Sequence, residues 1–387
     1  MSTRGRHVQL ATRGSELARR QATTVKERLE DRRFEVSLVE VETEGDRIRD
    51  ELIHRLGKKG AFVRSLDQRV LSGDLDAAVH SMKDMPTESP PELLVAGVPE
   101  RARPGDLLLT PGGADLSELP GGATVGTSSL RRKAQLLATR SDLDVEPLRG
   151  NVDTRVEKLL APHRQREHQR RLEAEESEGE GGDDGNESDS DDGEDAQTFE
   201  RTAQEYFEEL SPIEQRALGR EIDIEYDAIV LAAAGLDRMG LDGQVASQEL
   251  PPADFVPSPG QGALAVTAQE GELAQAVNDA IDHPRTRTET TVERIVLEEL
   301  GGGCIAPIGV HAVIQGEYVH ATVRVQDTTG TEEVSANRDL PVADHPAAAS
   351  DLAADLRERG AAGLIDAARE TQEDPAAAGP GEGDTVR

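Results

Sequence analysis

Apolar residues alternate with polar ones in HVQLAT (7–12) and EVSLVEVET (35–43), the period of strands with one buried face. Between them, SELARRQATTVKERLEDR sets Leu17, Ala18, Ala22, Val25 and Leu29 along one helical face, with Ser15 as a natural N-cap. LDAAVHSMKD (75–84) reads as a buried strand ending in polar groups. ATVGTSSLRRKAQLLA, VEPLRGNVDTRVEKLL and YDAIVLAAAGLDRMG each predict a strand, a short polar turn and the start of a helix. This alternation predicts an α/β, doubly wound parallel sheet. Beyond residue 304 the pattern changes. GVHAVIQGEYVHATVRVQD alternates like two antiparallel strands, and the Ala-rich ASDLAADLRERGAAGLIDAARE predicts one helix, so a further domain is expected. At 387 residues the chain exceeds one ordinary core, which agrees with two or three domains.

The alternation breaks between about 161 and 222. EAEESEGEGGDDGNESDSDDGED (173–195) carries 13 acidic residues, no basic one and no apolar side chain larger than alanine, so it is expected to be disordered. HRQREHQRRLEAEE before it and TFERTAQEYFEELSPIEQRALG after it predict helix, the latter from Phe199, Ala203, Tyr206, Phe207 and Leu210. The piece reads as an acidic insertion, 161–222, with an ordered second half. The final TQEDPAAAGPGEGDTVR, from about 373 to 387, reads as a frayed tail.

Charge narrows the functional classes. The chain holds 43 basic and 76 acidic residues, a net charge of -33, which disfavours nucleic acid as a partner. Lysine occurs only at 26, 58, 59, 83, 133 and 158, and the rest of the basic residues are arginine. An acidic surface poor in lysine and aromatics suits a high-salt cytoplasm, where screening weakens self-repulsion. One cysteine allows no internal disulfide and fits a reducing compartment. No stretch reaches the roughly 18 apolar residues of a membrane span, so a soluble, cytoplasmic protein is expected.

Against this acidic background, arginines fall at strand-to-helix turns. Arg13 precedes Ser15; Arg131 and Arg132 follow Thr127, Ser128 and Ser129; Arg149 precedes Gly150; Arg155 opens the next helix; Arg238 follows a fourth strand. In open α/β sheets ligands bind beyond the carboxyl ends of strands, where helix N-termini favour anions. Arginine grips carboxylates through paired N–H groups, so a polycarboxylate ligand is as natural here as a phosphate. Each arginine singly reads as a surface residue or an ion pair; together they suggest an anion-binding island. In HSMKDMP (80–86), Lys83 and Asp84 close an apolar strand just before a proline. The carboxylate could do acid-base work or stabilise a developing cation, or the pair could simply cap a turn. His80 reads as a satisfied structural histidine, and no spacing of ligands suggests a metal site. Cys304, in LGGGCIAPIG, has three readings: an inert small residue, a catalytic thiolate or a covalent attachment point. The surrounding glycines give slight favour to attachment.

ATRGSELARRQA, TEGDR, KKGAFVRSLDQRVLSGDLDAAVHSMKDMPTE, VGTSSLRRKAQL, LRGNVDTRVEKL, DAIVLAAAGLDRMG, PSPGQGALAV and GGGCIAPIG occur in an order that resembles the hydroxymethylbilane synthase, or porphobilinogen deaminase, family. The resemblance covers most of 7–160 and 225–315. It implies two similar α/β domains of bilobal solute-binding type and a small α/β domain carrying the cysteine. The division it implies is 1–100 with 263–282, then 103–258, then 285–372. It implies a dipyrromethane cofactor held by Cys304 through a thioether, onto which a monomeric transferase joins four porphobilinogens with loss of ammonia before hydrolytic release of a linear tetrapyrrole. Asp84 then corresponds to the catalytic carboxylate. Lys83, Ser128, Ser129, Arg131 and Arg132 correspond to cofactor-binding positions, and Arg13, Ser15, Gln21, Arg149, Arg155, Arg238 and Gln261 to substrate-binding ones. The region of Gly60 corresponds to a mobile loop.

Two departures stand out. Ile305 and Ala306 are apolar where many relatives have a polar residue after the cysteine, and the acidic insertion interrupts the second domain. A disordered acidic loop beside an anion-binding cleft is expected to be neutral toward substrate entry at high salt. The rival readings are a non-enzymatic bilobal binding protein for a polycarboxylate and a thiol-dependent transferase.

Overall fold

A computed structural model describes residues 6–41, 61–87, 90–180, 199–301 and 306–373. Strand β1 (Arg6–Arg13) leads into helix α1 (Glu16–Glu30), which Ser15 caps by accepting the Ala18 N–H at 3.3 Å. Then come β2 (Phe34–Val41), α2 (Ala61–Leu71), β3 (Ala77–Ser81), a 3-10 turn at Met82–Asp84 and β4 (Leu93–Gly97). The chain crosses to a second sheet through β5 (Asp106–Leu109), followed by β6 (Thr124–Gly126), α3 (Leu130–Thr139), β7 (Asp144–Glu146) and α4 (Val152–Glu180). After α5 (Ala203–Glu209) and α6 (Pro212–Leu218) come β8 (Ala228–Ala232), α7 (Ala233–Met239) and β9 (Ser247–Leu250). The chain then returns to the first sheet as β10 (Leu264–Gln269) and α8 (Glu272–Ile281).

The two sheets share one plan. Their orders are β2-β1-β3-β10-β4 and β7-β6-β8-β5-β9, and in each the first three strands are parallel while the fourth runs against both its neighbours. Those fourth strands, β10 and β5, each follow one of the two crossings between the sheets. The crossings touch at Gly262, where φ is +84° and a Cβ would lie 2.6 Å from the Ala102 carbonyl, so only glycine fits. Helices cover both sheets in two separate apolar layers each, one joining Leu10, Val25, Val266 and Val277, its counterpart joining Leu109, Leu159, Ile229 and Leu236.

A third unit is built on α9 (Pro284–Glu299) and an antiparallel sheet of β11 (Ile308–Gln315), β12 (Tyr318–Gln326) and β13 (Glu333–Pro341), closed by α10 (His345–Leu356) and α11 (Ala362–Glu373). Three expectations change. A third strand, β13, joins the expected pair; it buries little besides Leu340 and is held by backbone pairing, so its side-chain pattern hides it. The single Ala-rich helix is two, broken at Gly360, whose φ of 105° no helix allows. Finally, α4 runs unbroken through Pro162 to Glu180, so the stretch expected to be disordered from 173 begins as helix. Its Glu and Ala residues are strong helix formers that extend a helix already nucleated upstream. The rest of that stretch, the tail from 374, the Gly60 region and Cys304 lie outside the described residues.

Candidate functional site

The apolar strand β3 delivers Lys83 and Asp84 on the 3-10 turn at its end, pinned by the Met82 N–H to the Ala263 carbonyl at 3.1 Å. Lys83 Nζ donates to Asp84 Oδ1 at 2.7 Å, and the two side chains remain 38% and 52% exposed. His80, one turn earlier, is buried and bonded to Asp67 at 2.9 Å and Thr267 at 3.0 Å, a satisfied structural histidine. Arg13 ends β1 just before Ser15, and Gln21 is buried on α1.

On the second sheet, β6 ends at Gly126, just before Thr127. Ser128 donates to the Leu148 carbonyl at 2.7 Å, and Ser129 caps α3 by accepting the Arg132 N–H at 3.4 Å. The first turn of α3 therefore carries Arg131 and Arg132 inward, where both meet Asp106. Arg131 Nη2 lies 2.8 Å from Oδ2, and Arg132 donates through Nε at 3.1 Å and Nη2 at 2.8 Å to Oδ1. Gln261 is buried as well. Its amide donates to Asp106 Oδ1 at 2.9 Å and to the Gly105 carbonyl at 3.2 Å. Burial opposes the charge on Asp106, but the two guanidiniums outweigh it and hold the carboxyl down at about 2. Arg131 is pulled below its usual value by burial, eased by Asp106 and worsened by Arg132.

Arg149 lies in the turn after β7, and Arg155 in the first turn of α4 donates Nε to the Gly150 carbonyl at 2.8 Å. Burial and the nearby Arg132 lower Arg155 to about 10, while Asp84 acts in the opposite direction. Arg155 therefore senses one group from each sheet, Arg132 from the second and Asp84 from the first. Arg238 departs from the expected placement. Because α7 starts directly after β8, Arg238 falls in the last turn of that helix, where it donates to the Gly262 carbonyl at 2.8 Å, and burial lowers it to about 10.

Family models match the chain as "Porphobilinogen deaminase, dipyromethane cofactor binding domain" over 8–166 and 213–276, and as "Porphobilinogen deaminase, C-terminal domain" over 287–359. A probable porphobilinogen deaminase of Halobacterium salinarum is 53% identical over 94% of this chain and 98% of its own length. The chain belongs to the porphobilinogen deaminase family. Another relative, the porphobilinogen deaminase of Nitratidesulfovibrio vulgaris, is 37% identical over 81% of this chain and 80% of its own. Among solved structures, a marine metagenome TRAP solute binding protein specific for aromatic acid ligands covers 96% of this chain and 98% of its own at 10% identity, but its TM-score of 0.30 gives the likeness no weight.

The residues at the cleft fit the dipyrrole cofactor of this porphobilinogen deaminase family on charge. Arg131, Arg132, Arg155 and Lys83 meet the two carboxylates of Asp106 and Asp84, which leaves positive charge for a ligand's carboxylates to neutralise. Arg131 Nε is buried and, among the described residues, has no hydrogen-bond partner. Among the described residues no group of three or more His, Cys, Asp or Glu could hold a metal ion, and no helix is long and apolar enough to cross a membrane.

Sequence reasoning missed Asp106. Its one local signal is a charged residue opening the wholly buried Asp-Leu-Leu-Leu strand. The described start of the acidic insertion leads away from the site. The first family match breaks over 167–212, and α4 starts at the cleft and carries Glu180 about 37 Å beyond Arg155. There α5 packs back on α4, with the Arg171 guanidinium between Phe199 at 4.4 Å and Tyr206 at 4.6 Å.

Proposed function

We propose that this protein is a cytoplasmic, monomeric transferase that joins four porphobilinogen molecules head to tail, with loss of ammonia, and releases a linear tetrapyrrole by hydrolysis. It takes neither nucleic acid nor a membrane as partner. The observation that carries the reading is the half-exposed Lys83–Asp84 pair, whose carboxylate is close enough to Arg155 of the second sheet's unit to act on it electrostatically.

Each porphobilinogen loses its amine as the pyrrole nitrogen pushes electrons toward the breaking C–N bond, so positive charge develops at the pyrrole N–H. Asp84 accepts a hydrogen bond from that N–H and stabilises the charge; after the new carbon-carbon bond forms, the same carboxylate takes up the displaced ring proton. Lys83 occupies Asp84 Oδ1 and leaves Oδ2 for the substrate. The acetate and propionate of each pyrrole lie against Arg13, Arg149, Arg155 and Arg238, with Ser15, Gln21 and Gln261 supporting. Arg131 and Arg132, with Ser128 and Ser129, hold the carboxylates of the dipyrrole attached at Cys304. When bound, that group would supply the free α-carbon that the first incoming pyrrole joins, each later one joining the pyrrole added before it.

Intact-mass measurement tests the reading. The expected result is a mass above that of the chain by one dipyrrole, lost in Cys304→Ala together with activity. An unmodified and fully active Cys304→Ala protein would overturn it. Asp84→Ala should keep the added mass yet lose turnover by about 10²–10⁴-fold. Wild-type rates in that variant would remove Asp84 from the mechanism.

A further inference from the structure

Glu293 and Arg294 are consecutive on α9, the helix whose end lies five residues before Cys304. Glu293 is fully buried and both its oxygens are filled. Arg101 donates to them at 2.7 and 3.1 Å, the Ala312 N–H at 2.9 Å and the Gly260 N–H at 2.7 Å. Gly260 in turn abuts the Asp84 turn. At φ +72° it brings its backbone so close that a Cβ would lie 2.9 Å from Met82 Cγ and 3.3 Å from Lys83 N. Arg294 reaches the other side of the same turn, its Nη2 donating to the Pro86 carbonyl at 2.7 Å. One helix therefore grips both flanks of Asp84, through Gly260 on one side and directly on the other. Arg101 stiffens the grip, its Nε donating to the Gln261 carbonyl at 2.7 Å and its backbone N–H to Thr286 Oγ1 at 3.2 Å.

The Asp84 turn is three residues long and has no side-chain cap. Its placement relative to a helix that leads toward Cys304 is therefore set largely by contacts from outside. A chemical step between a carboxylate and a tethered chain is sensitive to displacements of about 1 Å. We propose that Glu293 and Arg294 are positioning residues that hold the Asp84 turn in register with α9. The proposal rests on Asp84 being the catalytic carboxylate.

The test uses the purified holoprotein with porphobilinogen as substrate, in Arg294→Met, Arg294→Lys and Glu293→Gln. Arg294→Met removes one hydrogen bond from a folded protein, which keeps the test open even where Glu293→Gln fails to fold. The expected result for Arg294→Met is wild-type occupancy of the dipyrrole by intact mass and KM within about threefold, with kcat lowered about tenfold or more. Quenched samples should accumulate chains lengthened by one pyrrole, and Arg294→Lys should recover most of the rate. A kcat within twofold of wild type in Arg294→Met overturns the proposal, as does a loss matched by KM and not recovered by lysine. Full activity in Asp84→Ala would instead sink the reading of the site and the positioning role with it, so the two failures are distinct.

Discussion

Asp106 and Glu293 are both wholly buried carboxylates held by arginine, yet they are satisfied in opposite ways. Glu293 meets one guanidinium, Arg101, and two backbone N–H groups, so its charge is balanced and its oxygens are filled. Asp106 meets two guanidiniums and one side-chain amide, which leaves a net positive charge in a buried place. Burial opposes ionisation at both, and the carboxyl is lowered at both, by Arg131 and Arg132 at Asp106 and by Arg101 together with His311 at Glu293. A buried ion pair of the Glu293 kind asks for nothing further and serves as a joint between units. A buried triad of the Asp106 kind keeps one positive charge in excess, which is what the proposed binding of a ligand carboxylate would use.

The sharpest break of this comparison is Asp106→Ala, which strands two guanidiniums with no counter-charge. Removing one partner of a buried ion pair costs roughly 3–5 kcal/mol, and denaturant unfolding should show a loss of that size. Occupancy of the dipyrrole should fall with it, because the guanidiniums lose the group that aims them. Intact occupancy in a folded Asp106→Ala protein would mean that Asp106 only stabilises. Glu293→Gln should cost less, about 1–3 kcal/mol, since the amide oxygen still accepts one N–H while Arg101 loses its counter-charge. Dipyrrole occupancy should then stay at the wild-type level, and a fall there would erase the distinction between the two carboxylates.

Acid sharpens the contrast. The Asp106 carboxyl titrates at about 2 in the folded protein against an ordinary 3.8. A lowered carboxyl stabilises the fold above the unfolded value and loses that contribution as pH falls toward the folded one. The stability of the wild type relative to Asp106→Asn should therefore shrink by roughly 2 kcal/mol between about pH 4 and pH 2. A difference that stays flat across that window would show that the arginines do not depress Asp106.

What could be read in advance follows the range of the interactions. Ser15 as a cap, the buried β3 ending in Lys83-Asp84 and the inward face of α1 all depend on neighbours within a few residues, and local pattern reveals them. Asp106 and Glu293 take their meaning from partners 19 to 192 positions away, and beyond the charged start of a buried strand at Asp106 little in their neighbourhoods marks them as hubs. Arg238 was misplaced because the sequence does not show that α7 follows β8 without a loop. β13 escaped because a strand held by backbone pairing needs no alternation. The chemistry assigned to Cys304 came from ordered motifs and not from spacing, which left three readings open.

Asp84 is the third carboxylate of the comparison, and the exposed one. Its pair with Lys83 stands in solvent at 38% and 52% exposure, where screening and side-chain entropy leave such pairs worth less than about 1 kcal/mol. Lys83→Met should therefore leave the denaturant midpoint almost where it was, in contrast to either buried carboxylate. Its effect should fall on rate. With Nζ gone from Oδ1, Asp84 can rotate away from the orientation that presents Oδ2 to a pyrrole N–H, and kcat should drop about tenfold. A marked loss of stability with unchanged kcat would make Lys83 a structural cation and would place the exposed pair with Arg101–Glu293 rather than with the cleft.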